Sequence, residues 1–150
     1  MQYGEGRICR VFVLRLDDGE RLPDAIESFA AAQSIKGAMV MYLGGAQDAS
    51  RMVVGPEAGR DDIVPLIFAI SGIHEVLAVG TLFANEAGQP VLHLHAATGR
   101  EGGAHVGCTR AGVEVWLVGE VVILEILDTG ASRKKDPATG FKLLQAPQSG

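Results

Sequence analysis

Apolar residues recur along this chain with two different periods, and the change of period divides it into one helix and a series of strands. Residues 7–17 read Arg-Ile-Cys-Arg-Val-Phe-Val-Leu-Arg-Leu-Asp, β-branched and aromatic with partial alternation, which predicts a strand ending in the turn Asp17-Asp18-Gly19. Leu22, Ala25, Ile26, Phe29 and Ala30 then follow the spacing of one helical face. Pro23 falls where a missing N–H costs nothing, Asp24 and Glu27 suit the first turns, and Lys36-Gly37 supplies a stop.

Beyond that helix the pattern is β almost throughout. Strands are predicted over 38–43, 49–54, 63–70, 74–84, 90–97 and 113–127, with Pro65 placing the third of these at an edge. Residues 55–62 form a polar loop, Asn85-Glu-Ala-Gly88 a hairpin turn, and 98–104 a Gly-rich loop. Glu114, Glu120 and Glu125 are expected on exposed faces, and Arg133-Lys-Lys135 in a solvated turn. The prediction is an α+β fold, one helix packed on a mainly antiparallel sheet of about seven strands. No repeat or linker divides residues 1–150, so a single domain is expected.

Composition narrows the function classes. Hydrophobic residues make up 47% and charged residues 21%, a globular balance. The formal net charge of −5 works against attraction to phosphate backbones. Two cysteines without CxxC spacing suit a reducing compartment, the N-terminus lacks the apolar core of a signal peptide, and no apolar stretch is long enough for a transmembrane helix. A cytoplasmic protein with no membrane partner is expected.

Val91-Leu-His-Leu-His-Ala-Ala97 carries the chemistry. Alternation on a strand puts His93 and His95 on one face and Leu92, Leu94 and Ala96 on the other. Two imidazoles at i and i+2 can chelate one ion, or stand as two solvated side chains with no metal. His105 follows after Gly99, Gly102 and Gly103, which let the chain turn back and offer a third ligand. Three imidazoles suit zinc, and copper, nickel or iron as well, and leave a position open for water or substrate. His74 and Glu75 alternate one hairpin earlier, so only one of them can face the pair as a fourth ligand or outer partner. Cys108, three residues past His105, is read as an inert buried thiol on the opposite face from it. No general base is identifiable and no catalytic residue is assigned, so the reading leans away from an enzyme.

Leu92-His-Leu-His95 followed by Gly102-Gly-Ala-His-Val-Gly-Cys108 resembles the plants-and-prokaryotes-conserved domain. The segment 7–19 is similar to that family's first strand and Gly-turn. Gly72-Ile-His-Glu-Val-Leu77 lies where plant members carry Gly-Arg-Phe-Glu-Ile-Leu, and Asp136-Pro-Ala-Thr-Gly-Phe141 resembles the closing segment of bacterial members. The resemblance covers roughly residues 5–145. It implies a compact α+β fold assembling as a homotrimer, with clustered histidines that bind a metal, usually zinc, carried over to His93, His95 and His105. Three function classes follow as expectations. One is a metal site taking a small anion or metabolite, with hydrolytic or lyase chemistry as its enzymatic form. A second is a trimeric interaction module with a structural metal. The third is a DNA-associated regulator, as the family's association with AT-hooks implies, although the chain has no Arg-Gly-Arg-Pro core and carries Ile73 and His74 at the plant Arg-Phe positions.

Overall fold

A computed structural model describes residues 1–59 and 62–149 of the chain. In order the elements are β1 (Gln2–Tyr3), β2 (Arg7–Asp17), α1 (Leu22–Ala32), β3 (Gly37–Ala46), β4 (Arg51–Pro56), β5 (Pro65–Ala69), β6 (His74–Ala84), β7 (Pro90–Arg100), β8 (Gly103–Cys108), a short 3₁₀ turn (Thr109–Ala111), β9 (Val115–Leu127), β10 (Ser132–Lys135), β11 (Lys142–Gln145) and β12 (Gln148–Ser149). Eight strands form one sheet in the order β2-β9-β3-β6-β7-β8-β4-β5, antiparallel at every step. β10 pairs with β11 and β1 with β12, each as a separate two-stranded ribbon. The fold class is the expected one: a mostly antiparallel sheet with one helix. Of the expected loop over 55–62, residues 60 and 61 lie outside the described residues.

The helix forms because its apolar spacing meets the sheet. Leu22, Ile26 and Ala30 are fully buried, one turn apart, against Val40, Leu82, Leu94 and Ile123 in the same core. Each large aliphatic side chain buried this way contributes about 1.5–3 kcal/mol. Phe29 meets Phe12 of β2 edge to face, with ring centroids 5.3 Å apart. The helix ends at Ala32, short of the expected Lys36-Gly37 stop, because Ser34 already takes a left-handed conformation (φ 58°).

Three further expectations are corrected. The Gly-rich stretch 98–104 is not a loop: β7 runs to Arg100, and Glu101 and Gly102, with φ of 52° and 81°, make a two-residue turn straight into β8. Glu125 is not on an exposed face. It is 4% exposed and accepts two hydrogen bonds from Arg10, from Nε at 2.6 Å and Nη2 at 2.7 Å. Arg10 Nη2 also donates to Gln33 O, which places a cation on the carbonyl end of α1. Arg133 is not solvated like Lys134 and Lys135, for it is 4% exposed while they are exposed residues.

The two faces of the sheet differ. One carries the core and the helix. The other presents Val11, Val13, Leu43, Leu77, Val79 and Val106, all more than half exposed. Among the described residues it is covered at one end only, where the β10–β11 hairpin lies over Thr81, Val91 and His93.

Candidate metal centre

β7 alternates as the sequence requires. Leu94 and Ala96 are buried on the helix side, and His93 and His95 project from the opposite face. Their rings meet edge to face at 4.8 Å, with the two Nε2 atoms 3.1 Å apart. A tetrahedral ion with Zn–N bonds of about 2.0–2.1 Å holds two nitrogens roughly 3.3 Å apart, so the pair stands near chelating distance. The strand below is fitted closely to make this possible. Gly80 of β6 pairs with Leu94, and a Cβ at position 80 would run into His93 O and come within 2.6 Å of Leu94 Cα. Only a glycine lets β6 approach the histidine strand there.

The third side chain that could donate to an ion here is Cys108. It is the register partner of His95 across the β7–β8 ladder, so both side chains leave the sheet on the same side. The Nε2 or Nδ1 atoms of His93 and His95 and the Cys108 Sγ lie within 4.8 Å of one another. Two imidazoles and a thiolate are a borderline-soft set that suits zinc, and three protein donors leave one tetrahedral position for a further ligand. His93 is held below its ordinary pKa, first by burial and then by the charges of His95, Arg133 and Arg110. Both influences favour the neutral imidazole, the form that binds a metal.

His105, expected as the third ligand, is not brought to the pair. It is the register partner of Thr98, three residues from His95, and alternation turns it to the other face. There it stacks on Phe68, ring centroids 4.0 Å apart, and stays exposed. The expected opposition of His105 and Cys108 is present, with their roles exchanged. His74 is buried on the core side and its Nδ1 donates to Gly72 O at 3.2 Å. Glu75 faces the histidine side but pairs with Gly99, four residues along from His95, which is roughly 13 Å. Neither reaches the pair.

Other side chains complete the surroundings. The donors open into a cavity of about 910 Å³ that also receives Glu27, Arg110, Arg133 and Lys142. Arg133 Nη2 donates to Thr81 Oγ1 at 3.0 Å and to Thr81 O at 3.3 Å, and its Nε to Val91 O at 3.2 Å. Thr81 is the register partner of His93, so the guanidinium lies one strand over on the same face. Glu27 Oε1 accepts the Leu92 N–H at 2.8 Å, which ties α1 to the strand carrying both histidines. These residues left no signal at the level of motif. Arg133 stood in a basic run and Glu27 in a helix turn. Cys108 alone was within reach, by counting register outward from Glu101-Gly102.

Comparison with known proteins bears on this arrangement. A metal-containing protein of Archaeoglobus fulgidus superposes with a TM-score of 0.80 at 24% identity, covering 95% of this chain and 98% of that one. A plant- and prokaryote-conserved protein of Pyrococcus horikoshii gives 0.80 at 22% identity, covering 99% and 100%. A structure from Ralstonia eutropha called a "putative DNA-binding protein" gives 0.68 at 20% identity, covering 90% of each chain. At these identities the likeness shows the fold. The bifunctional protein GlmU of Synechococcus sp. (strain JA-3-3Ab) is 28% identical over 136 residues, which is 88% of this chain. The chain spans only about a fifth (20%) of that relative's length. No helix among the described residues is long and apolar enough to cross a membrane. The model of the Plants and Prokaryotes Conserved (PCC) domain matches residues 3–127, and the chain belongs to that family.

Proposed function

We propose that this protein is a homotrimeric metal-binding domain of the cytoplasm. It holds one divalent ion, zinc first, on His93, His95 and Cys108, with the fourth position open to a small anion. The single observation that carries the metal reading is the convergence of three donor atoms within 4.8 Å on one face of two paired strands. The name of the Archaeoglobus relative, a metal-containing protein, agrees with it. The exposed apolar sheet face supports the trimer, since a patch of this kind marks an interaction surface.

The chain's own contribution is orientation. Gly80 and Thr81 fix the backbone under the histidines, and the β7–β8 register delivers the thiol. A bound divalent ion supplies Lewis acidity to an oxygen ligand in its open position. Arg133 and Arg110 set a positive field around that position.

Metal analysis of protein purified without a metal-affinity tag tests the reading. About one ion per chain is expected, lost in His93→Ala. A content near zero, unchanged by that substitution, would sink it. Sedimentation should report three chain masses; a monomer at every concentration would remove the trimer and leave the metal site standing.

A further inference from the structure

Arg133 is the feature the metal alone does not explain. Its guanidinium is nine-tenths buried and holds its charge against backbone carbonyls and a hydroxyl, with no carboxylate partner among the described residues. Burying a cation costs several kcal/mol unless an anion or a dense set of hydrogen bonds offsets it. Two carbonyls and one hydroxyl occupy Nε and Nη2, and Nη1 donates no hydrogen bond among the described residues.

The charge around it is one-sided. Arg110 and Lys142 line the same cavity, and Glu27, the one carboxylate among the described residues that line it, has an oxygen engaged by the Leu92 N–H. A divalent ion on two neutral imidazoles and a thiolate would add a further net positive charge. An otherwise acidic chain, at −5 overall, thus concentrates cations at one place. The remaining wall is apolar: Val53, Pro56, Val91, Phe141 and Leu143 contribute to it. Arg110 lies over the Phe141 ring at 5.8 Å, so the cationic and apolar parts adjoin. A bare inorganic anion would leave most of about 910 Å³ to water. A ligand with one charged end and an apolar body fits both halves.

We propose that this pocket binds an organic carboxylate carrying an apolar body of several carbons, its head group paired with Arg133 and its body against Phe141 and Leu143. The proposal rests on the metal reading only for the head group's second contact, the open position on the ion. With Nε and Nη2 engaged, Nη1 is the nitrogen left to donate, and Arg110 stands as a second cation on the same cavity, which suits a singly charged carboxylate head group.

The test is calorimetric titration of the zinc-loaded chain with acetate, hexanoate and inorganic phosphate. Hexanoate should bind at least about ten-fold tighter than acetate, because its added methylenes leave water for the apolar wall. Arg133→Gln should remove hexanoate binding. Because Arg133 also ties β10 to β6 and β7, Arg110→Met is the second variant, expected to weaken hexanoate several-fold with the fold intact by circular dichroism. Phosphate binding tighter than hexanoate, equal affinity for acetate and hexanoate, or no response to either substitution would overturn the proposal with the metal still bound. Repeating the titration on the chelated chain separates the two readings. Hexanoate binding that persists there and still falls in Arg110→Met supports the pocket even if no metal is ever retained.

Discussion

Cys108 stands directly across the strand ladder from His95, and this one register relation places its thiol, rather than the His105 ring, beside the histidine pair. Replacing it should therefore matter more than replacing His105. Cobalt substitution gives the readout, because a thiolate ligand adds a charge-transfer band in the near ultraviolet that imidazoles do not. We expect that band in the native chain and in His105→Ala, and its loss in Cys108→Ser together with a 10- to 100-fold or greater weakening of metal affinity, an estimate scaled from the cost of losing an outer-shell partner. A cobalt spectrum that responds to His105 and ignores Cys108 would put the third ligand back on the other face.

The site was half legible in the sequence, and the boundary is physical. Alternation within one strand is a local rule, so His93, His95 and their apolar neighbours could be assigned faces directly. The third donor depends on register between two strands, which is fixed by the residues in the turn. Reading 98–104 as an open loop left the register free, and a free register lets His105 reach the pair. A two-residue turn at Glu101-Gly102 removes that freedom and brings Cys108 instead. The helix and most strands followed from period alone. Arg133 and Glu125 did not, since a charged residue is buried only when distant partners meet it, and Thr81, Val91 and Arg10 are 52, 42 and 115 residues away.

Gly80 gives a test of the backbone under the histidines. A methyl group there would strike His93 O and Leu94 Cα, both backbone and unable to swing aside. Gly80→Ala should cost about 1–3 kcal/mol of stability by overpacking. It should also lower metal affinity, since β7 must shift to admit the methyl and carries both imidazoles. Thermal melting with and without zinc measures both effects. An unchanged Tm and full metal content would show that the close approach is not needed.

The Arg10–Glu125 pair predicts a pH dependence with a definite sign. Arg10 holds the buried Glu125 carboxyl below its ordinary pKa, chiefly through the side-chain hydrogen bond. A carboxyl whose pKa is depressed on folding stabilises the protein above its unfolded pKa, and that contribution is lost as pH falls through the folded value. Arg10→Met leaves Glu125 buried without its cation. Its Tm should fall most at neutral pH, and the gap from the native chain should close in acid as Glu125 becomes protonated. A gap that is constant across the range would assign the loss to packing of the Arg10 stem rather than to charge.

The exposed sheet face makes the assembly and the metal site separable. Leu77 and Val13 are 63% and 78% exposed in the single chain, on the side of the sheet away from the helix. In a trimer closed over this face they would be buried, and a carboxylate placed there would lose its water without gaining a partner. Leu77→Asp or Val13→Asp should therefore give monomers by sedimentation velocity, while Lys134→Glu, on the exposed side of the β10–β11 hairpin, should not. All three proposed donors come from one chain, His93 and His95 on β7 and Cys108 on β8, so the monomeric variants should keep their zinc. Monomers stripped of metal would mean that assembly holds the donors in place. Trimers that survive both substitutions would move the interface to another surface of the fold.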